Sequence, residues 1–137
     1  FHTFRQIKNT GKMQLFKSHK AGFADGFQSR DFIYVKDVLN MILYFMQNQQ
    51  CESGIYNFGT GLARTFLDLA TGTFAAMDLS PEISFIDTPE DIRETYQYFT
   101  EADMSKLKKT GYANTFTTLE DGVNEYVREY LRKGKYY

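Results

Sequence analysis

Arg30 has a clear chemical use. It stands in Gly26-Phe27-Gln28-Ser29-Arg30-Asp31-Phe32, where a loop holding Gly22 and Gly26 runs into an apolar stretch. A guanidinium in that position can give two charge-assisted hydrogen bonds to phosphate oxygens, which suits a pyrophosphate. The competing use is an ion pair with Asp31 or Asp37. Gly59-Thr60-Gly61 follows the apolar run Ile55-Tyr56-Asn57-Phe58 and invites a phosphate loop. It lacks the third glycine of a dinucleotide fingerprint and the Gly-Lys-Ser/Thr of a P-loop, so a plain strand-to-helix connection is expected. Tyr96 lies in irregular chain, either as a hydroxyl offered to a ligand or as an aromatic plug under a loop.

Other chemistry is thinner. His2 and His19 are the only histidines, and neither has metal-ligand spacing to carboxylates or to Cys51, so no metal site is expected. No tyrosine is followed four residues later by lysine: Tyr34 meets Val38 and Tyr44 meets Asn48. No Ser/His/Asp or Cys/His arrangement stands out. No catalytic constellation is written in the chain by itself.

The elements that would position these residues alternate between helix and strand. Phe1, Phe4 and Ile7 keep helical spacing with no capping residue ahead, which reads as the tail of a helix begun upstream and predicts a fragment. Lys12 to Phe16 is a short strand, residues 17–29 a loop, and Phe32 to Val35 a second strand. Val38, Leu39, Ile42, Leu43, Phe45 and Met46 form an apolar face broad enough to predict a helix buried on most sides. A buried strand is expected over Ile55 to Phe58. A helix opens at Thr65 with Asp68 and is broken by Ser80-Pro81. A strand over Ile83 to Ile86, a helix from Thr100-Glu101-Ala102-Asp103 to Gly111, and a last helix with a Thr117/Glu120 capping box complete an α/β pattern.

The chain has 137 residues, 42% hydrophobic and 24% charged, with a net charge of −1. That length fits one domain, 1–137, and the balance of charge argues against nucleic acid or an anionic membrane as partner. The late clusters Lys106 to Lys109 and Arg128 to Lys135 suit helix C-termini. Cys51, without a second cysteine, reads as a reduced thiol in a cytosolic protein. Much of the 13 Phe and 10 Tyr is expected in the core, and so many aromatics can also line a groove that stacks a base or sugar.

Four blocks carry a resemblance. They are Gln14-Leu15-Phe16-Lys17-Ser18, Asp25-Gly26-Phe27-Gln28-Ser29-Arg30-Asp31-Phe32-Ile33-Tyr34-Val35-Lys36-Asp37-Val38, Ser53 to Gly61, and Tyr96-Gln97-Tyr98-Phe99-Thr100. With Phe1-His2, Gly111-Tyr112 and Glu120 to Tyr126, they resemble the ADP-L-glycero-D-manno-heptose 6-epimerase family of extended short-chain dehydrogenase/reductases. Thr95 stands where that family often has arginine, with Arg93 two residues earlier.

The resemblance implies a Rossmann-type fold of which this chain is the C-terminal, substrate-binding portion, without the N-terminal dinucleotide-binding part. It implies a cytoplasmic, homo-oligomeric, NADP-dependent isomerase of lipopolysaccharide core biosynthesis. That enzyme would epimerise C6 of an ADP-heptose by transient oxidation, with its catalytic Tyr and Lys outside this chain and this chain alone inactive. Carried over by position, His2 reaches the substrate, Phe16, Lys17, Ser18 and His19 lie along the nucleotide, Arg30 holds the diphosphate, and Tyr96 bonds through its hydroxyl. Alternatives are another sugar-nucleotide epimerase or dehydratase, and a non-catalytic binding module.

Overall fold

The computed structural model describes residues 1–135. Helix α1 (His2–Thr10) buries Phe4 and Ile7, one turn apart on the same face, and ends where Gly11 takes a left-handed φ of 73°. Strand β1 (Met13–Phe16) follows and pairs in parallel with β4 (Ile83–Ile86), with Met13 opposite Ile83 and Phe16 opposite Ile86. A second, minimal ladder joins β2 (Ser29–Arg30) to β3 (Arg64–Thr65) in antiparallel register, Arg30 opposite Arg64.

Helix α3 (Phe66–Ala76) begins where the sequence placed it. Thr65 accepts from the Asp68 N–H while the Asp68 carboxylate accepts from the Thr65 N–H, a complete capping box. Short helices α4 (Glu90–Arg93) and α5 (Ser105–Lys109) interrupt the chain before α6 (Leu119–Glu125), which continues as a π-helical turn over Tyr126–Leu131. Phe4, Ala76, Val127 and Leu131 form one core between α1, α3 and the C-terminal turns. Met41, Met104, Leu107 and Tyr112 form the other, under α2 (Val35–Gln47).

Several expectations need correction. Phe32 to Val35 is not a strand. Residues 31–34 join no ladder, and α2 starts at Val35 after an extended Tyr34. Ile55 to Phe58 is likewise unpaired, and Ile55 is 89% exposed. Both segments carry strand-forming side chains, but a strand exists only where a neighbour takes its backbone bonds. Helix α2 is not buried on most sides. Met41 and Asp37 are buried, whereas Val35, Leu39, Ile42, Leu43 and Met46 are exposed.

The helix expected from Thr100 is only α5, because the residues before it hold other parts of the chain. The Glu101 carboxylate accepts from the Ala63 N–H, and the Ala102 N–H is given to Asp31. The last cap is shifted by one residue to Thr118, which accepts from the Asp121 N–H. Thr117 is not free to cap. Its N–H and hydroxyl both go to the buried Asp37 carboxylate, at 2.8 and 3.1 Å.

Candidate functional site

Strand β1 ends at Phe16, and its ladder closes with the Lys17 N–H donating to Ile86 at 2.8 Å. The chain then turns across the surface, and the next four residues reach Tyr98 and Thr88. The His19 N–H donates to the Tyr98 hydroxyl at 2.8 Å, and His19 Nε2 accepts from the Thr88 N–H at 3.2 Å. Lys17 pairs with Asp87 at 3.2 Å, an exposed contact of small energetic weight.

Arg30 comes from β2, at the other side of the same group. Its guanidinium lies 5.7 Å from the Tyr96 ring and 5.5 Å from the Phe66 ring, cation–π distances. It donates one bond, to the Ser29 carbonyl at 2.7 Å. Neither carboxylate expected to neutralise it does so. Asp37 is bound to Thr117. Asp31 accepts from the Thr60 N–H and hydroxyl, the Gly61 N–H and the Ala102 N–H. Burial would push the Asp31 carboxyl up, but these hydrogen bonds together hold it below its ordinary value. Among the described residues Arg30 has no carboxylate partner.

Tyr96 completes the cluster. Its ring meets Phe16 edge-on at 5.9 Å and Tyr98 at 5.8 Å. Among the described residues its hydroxyl has no hydrogen-bond partner. Burial raises its pKa, with the Arg30 charge opposing. Phe16, Lys17, Ser18, His19, Arg30 and Tyr96 are thus gathered from β1, β2 and the loop before residue 100 onto one surface.

His2 is not gathered with them. Its ring rests edge-on against Phe1 at 5.6 Å, and no contact among the described residues joins it to Arg30 or Tyr96. Phe1 lines a cleft of about 620 Å³ with Phe32, Tyr34, Leu39, Leu69 and Val123. Phe32, on the cleft wall, touches Phe66 at 5.6 Å, and Phe66 in turn faces the Arg30 guanidinium, so this pair of rings stands between the cleft and the Arg30 cluster.

The turn Gly59-Thr60-Gly61 is no phosphate cradle. The Thr60 and Gly61 N–H groups, the donors such a cradle needs, are turned onto Asp31. Sequence reasoning assigned Asp31 only as a partner of Arg30. The signal that could have found its real role is the pairing of an acidic residue with a glycine turn rich in donors.

The chain is similar to known proteins in sequence and in fold. Residues 1–59 match the model of the NAD dependent epimerase/dehydratase family. An ADP-L-glycero-D-manno-heptose-6-epimerase of Fusobacterium nucleatum is 49% identical over 139 residues, 97% of this chain and 42% of the relative. A protein of the same name from Nitratidesulfovibrio vulgaris is 52% identical over 128 residues, 93% of this chain and 39% of the relative. The chain therefore spans about two fifths of the curated relatives it matches.

Among solved structures, the Helicobacter pylori ADP-L-glycero-D-manno-heptose-6-epimerase aligns with a TM-score of 0.72 at 22% identity, over 93% of this chain and 36% of that one. A UDP-N-acetylglucosamine 4-epimerase from Methanobrevibacter ruminantium aligns with a TM-score of 0.74 at 20% identity, over 96% and 38%. The fold is that of part of an extended short-chain dehydrogenase/reductase, and the resemblance read from the sequence blocks is borne out.

Proposed function

We propose that this chain forms the substrate-holding portion of a sugar-nucleotide epimerase that interconverts ADP-D-glycero- and ADP-L-glycero-D-manno-heptose at C6 of the heptose. The observation that carries the reading is the state of Arg30. Both neighbouring carboxylates are engaged elsewhere, and its guanidinium rests between Phe66 and Tyr96. An arginine left in that condition suits a diphosphate, which would accept its remaining donors.

In this reading the free Tyr96 hydroxyl and the residues Phe16 to His19 flank the bound nucleotide, and His2 approaches from the cleft side. Binding energy from the ADP end, remote from the reacting carbon, orients the sugar. NADP would supply and recover the hydride. The glycine turn of this chain does not fit a dinucleotide phosphate, because it has spent its Thr60 and Gly61 donors on Asp31. No step is therefore assigned to that group on this chain. A cytoplasmic homo-oligomer belongs to the same reading. Among the described residues no helix is long and apolar enough to cross a membrane.

Calorimetric titration with ADP-glucose and UDP-glucose tests the reading. The chain is expected to take ADP-glucose in preference, and Arg30→Ala to weaken it by roughly 10–100-fold, the range for a charge-assisted pair. Equal binding of UDP-glucose would favour another sugar-nucleotide enzyme. Unchanged binding by Arg30→Ala would overturn the assignment.

A further inference from the structure

Beyond the ladder bond at Lys17, the backbone of residues 16–19 is held almost wholly by side chains. Gln28, 1% exposed, donates through Nε2 to the Phe16 carbonyl at 3.4 Å and the Lys17 carbonyl at 3.3 Å. Thr88, 2% exposed, donates its hydroxyl to the same Lys17 carbonyl at 3.0 Å. The Ser18 N–H goes to Asp25 at 2.6 Å and the His19 N–H to the Tyr98 hydroxyl at 2.8 Å. Four side chains, Asp25 and Gln28 from one stretch and Thr88 and Tyr98 from two others, fix four consecutive residues.

A surface loop normally gives such groups to water. Fixing them with the buried Gln28 amide and Thr88 hydroxyl as donors, and with Asp25 and the Tyr98 hydroxyl as acceptors, removes the loop's freedom to move. That is how a binding surface is organised before its ligand arrives, so that less conformational entropy is lost on binding. The clamp has further support behind it: Arg93 Nε donates to the Thr88 carbonyl at 2.7 Å, and Lys20 stands 5.5 Å over the Tyr98 ring.

We propose that Gln28, Thr88 and Tyr98 are positioning residues for the nucleotide-sugar site: they touch no ligand, and they hold Phe16 to His19 in the form that receives it. The proposal rests on the substrate reading given above. Each variant removes one donor or acceptor and keeps the shape.

The test is titration of the full chain with ADP-glucose, alongside thermal melting and amide exchange at Ser18 and His19. Thr88→Val and Tyr98→Phe should each weaken binding about tenfold, the worth of one well-placed hydrogen bond, and speed exchange at those two amides. Thr88→Ser should bind within about twofold of the parent, because it restores the hydroxyl. The melting temperature of Tyr98→Phe should stay near the parent's, so that variant decides the matter if Thr88→Val does not fold.

Parent-like binding by both Thr88→Val and Tyr98→Phe, while Arg30→Ala loses ADP-glucose, overturns the positioning role and leaves the substrate reading standing. Parent-like binding by Arg30→Ala instead removes the substrate reading itself. A folded parent chain that takes no ADP-glucose overturns both.

Discussion

Asp31 and Thr60, 29 residues apart, are joined twice by one carboxylate oxygen: Oδ1 accepts the Thr60 N–H at 2.8 Å and its hydroxyl at 2.6 Å. The other oxygen accepts from Gly61 at 2.9 Å and Ala102 at 3.1 Å. One side chain therefore ties β2's exit, the glycine turn and the segment before α5 together. It also leaves the adjacent Arg30 without its nearest counter-charge.

Asp31→Asn should cost about 2 kcal/mol at neutral pH, since an amide cannot accept all of these bonds. The effect should depend on pH in a defined sense. Asp31 titrates below its ordinary 3.8 in the fold, so its contribution is complete above that value. It is lost as pH falls through the lower folded value, because the unfolded chain takes up the proton first. Urea unfolding at pH 7 and near pH 3 should show the gap between parent and variant shrinking in acid. A gap that widens in acid would contradict the assignment.

Gly59 is required for close approach. A Cβ there would sit 2.5 Å from the Ala102 Cβ and 2.6 Å from Asp31 Oδ2. Gly59→Ala should destabilise by roughly 1–3 kcal/mol through overpacking. Gly11→Ala offers a comparison of a different kind, since nothing lies within 4 Å of its Cβ and only the left-handed backbone resists it. Chemical denaturation of the two variants separates steric crowding from backbone strain.

The two sides of α2 should respond oppositely to substitution. Met41 is fully buried in the core with Met104 and Leu107, so Met41→Ala should cost about 2–5 kcal/mol. Leu39, 52% exposed, should tolerate Gln within about 0.5 kcal/mol. The exposed stripe Val35, Leu39, Ile42 and Met46 should also bind an apolar dye, and Leu39→Gln should lower that signal. Equal costs at positions 39 and 41 would mean that the outer face is covered in solution.

Tyr96→Phe separates ligand contact from packing. The ring contacts to Phe16, Tyr98 and Arg30 survive the change, and the lost hydroxyl has no partner among the described residues. Thermal stability should hold, while ADP-glucose affinity falls about fivefold to tenfold. A lowered melting temperature with unchanged affinity would assign the ring to structure alone.

Some of this was legible because it is local. The capping pair Thr65 and Asp68 sits three residues apart, and β4 and α1 announce themselves by alternation and helical spacing. Such patterns act within a turn or two of chain and need no distant partner. The blocks around Arg30 and Tyr96 were likewise readable as a likeness, before any geometry placed the two together.

What the sequence by itself determined was therefore the α/β alternation, the family likeness and the residue types of the candidate site. Only the tertiary structure decided that Ile55 to Phe58 goes unpaired, that the last cap moves from Thr117 to Thr118, and that Asp31 serves the glycine turn instead of Arg30. The last two outcomes are each a competition for one hydrogen-bonding group between a sequence neighbour and a partner 29 to 80 residues away, whereas Ile55 to Phe58 finds no neighbouring strand at all. Local pattern lists the competitors, but the winner is fixed by which groups the packed chain brings within about 3 Å.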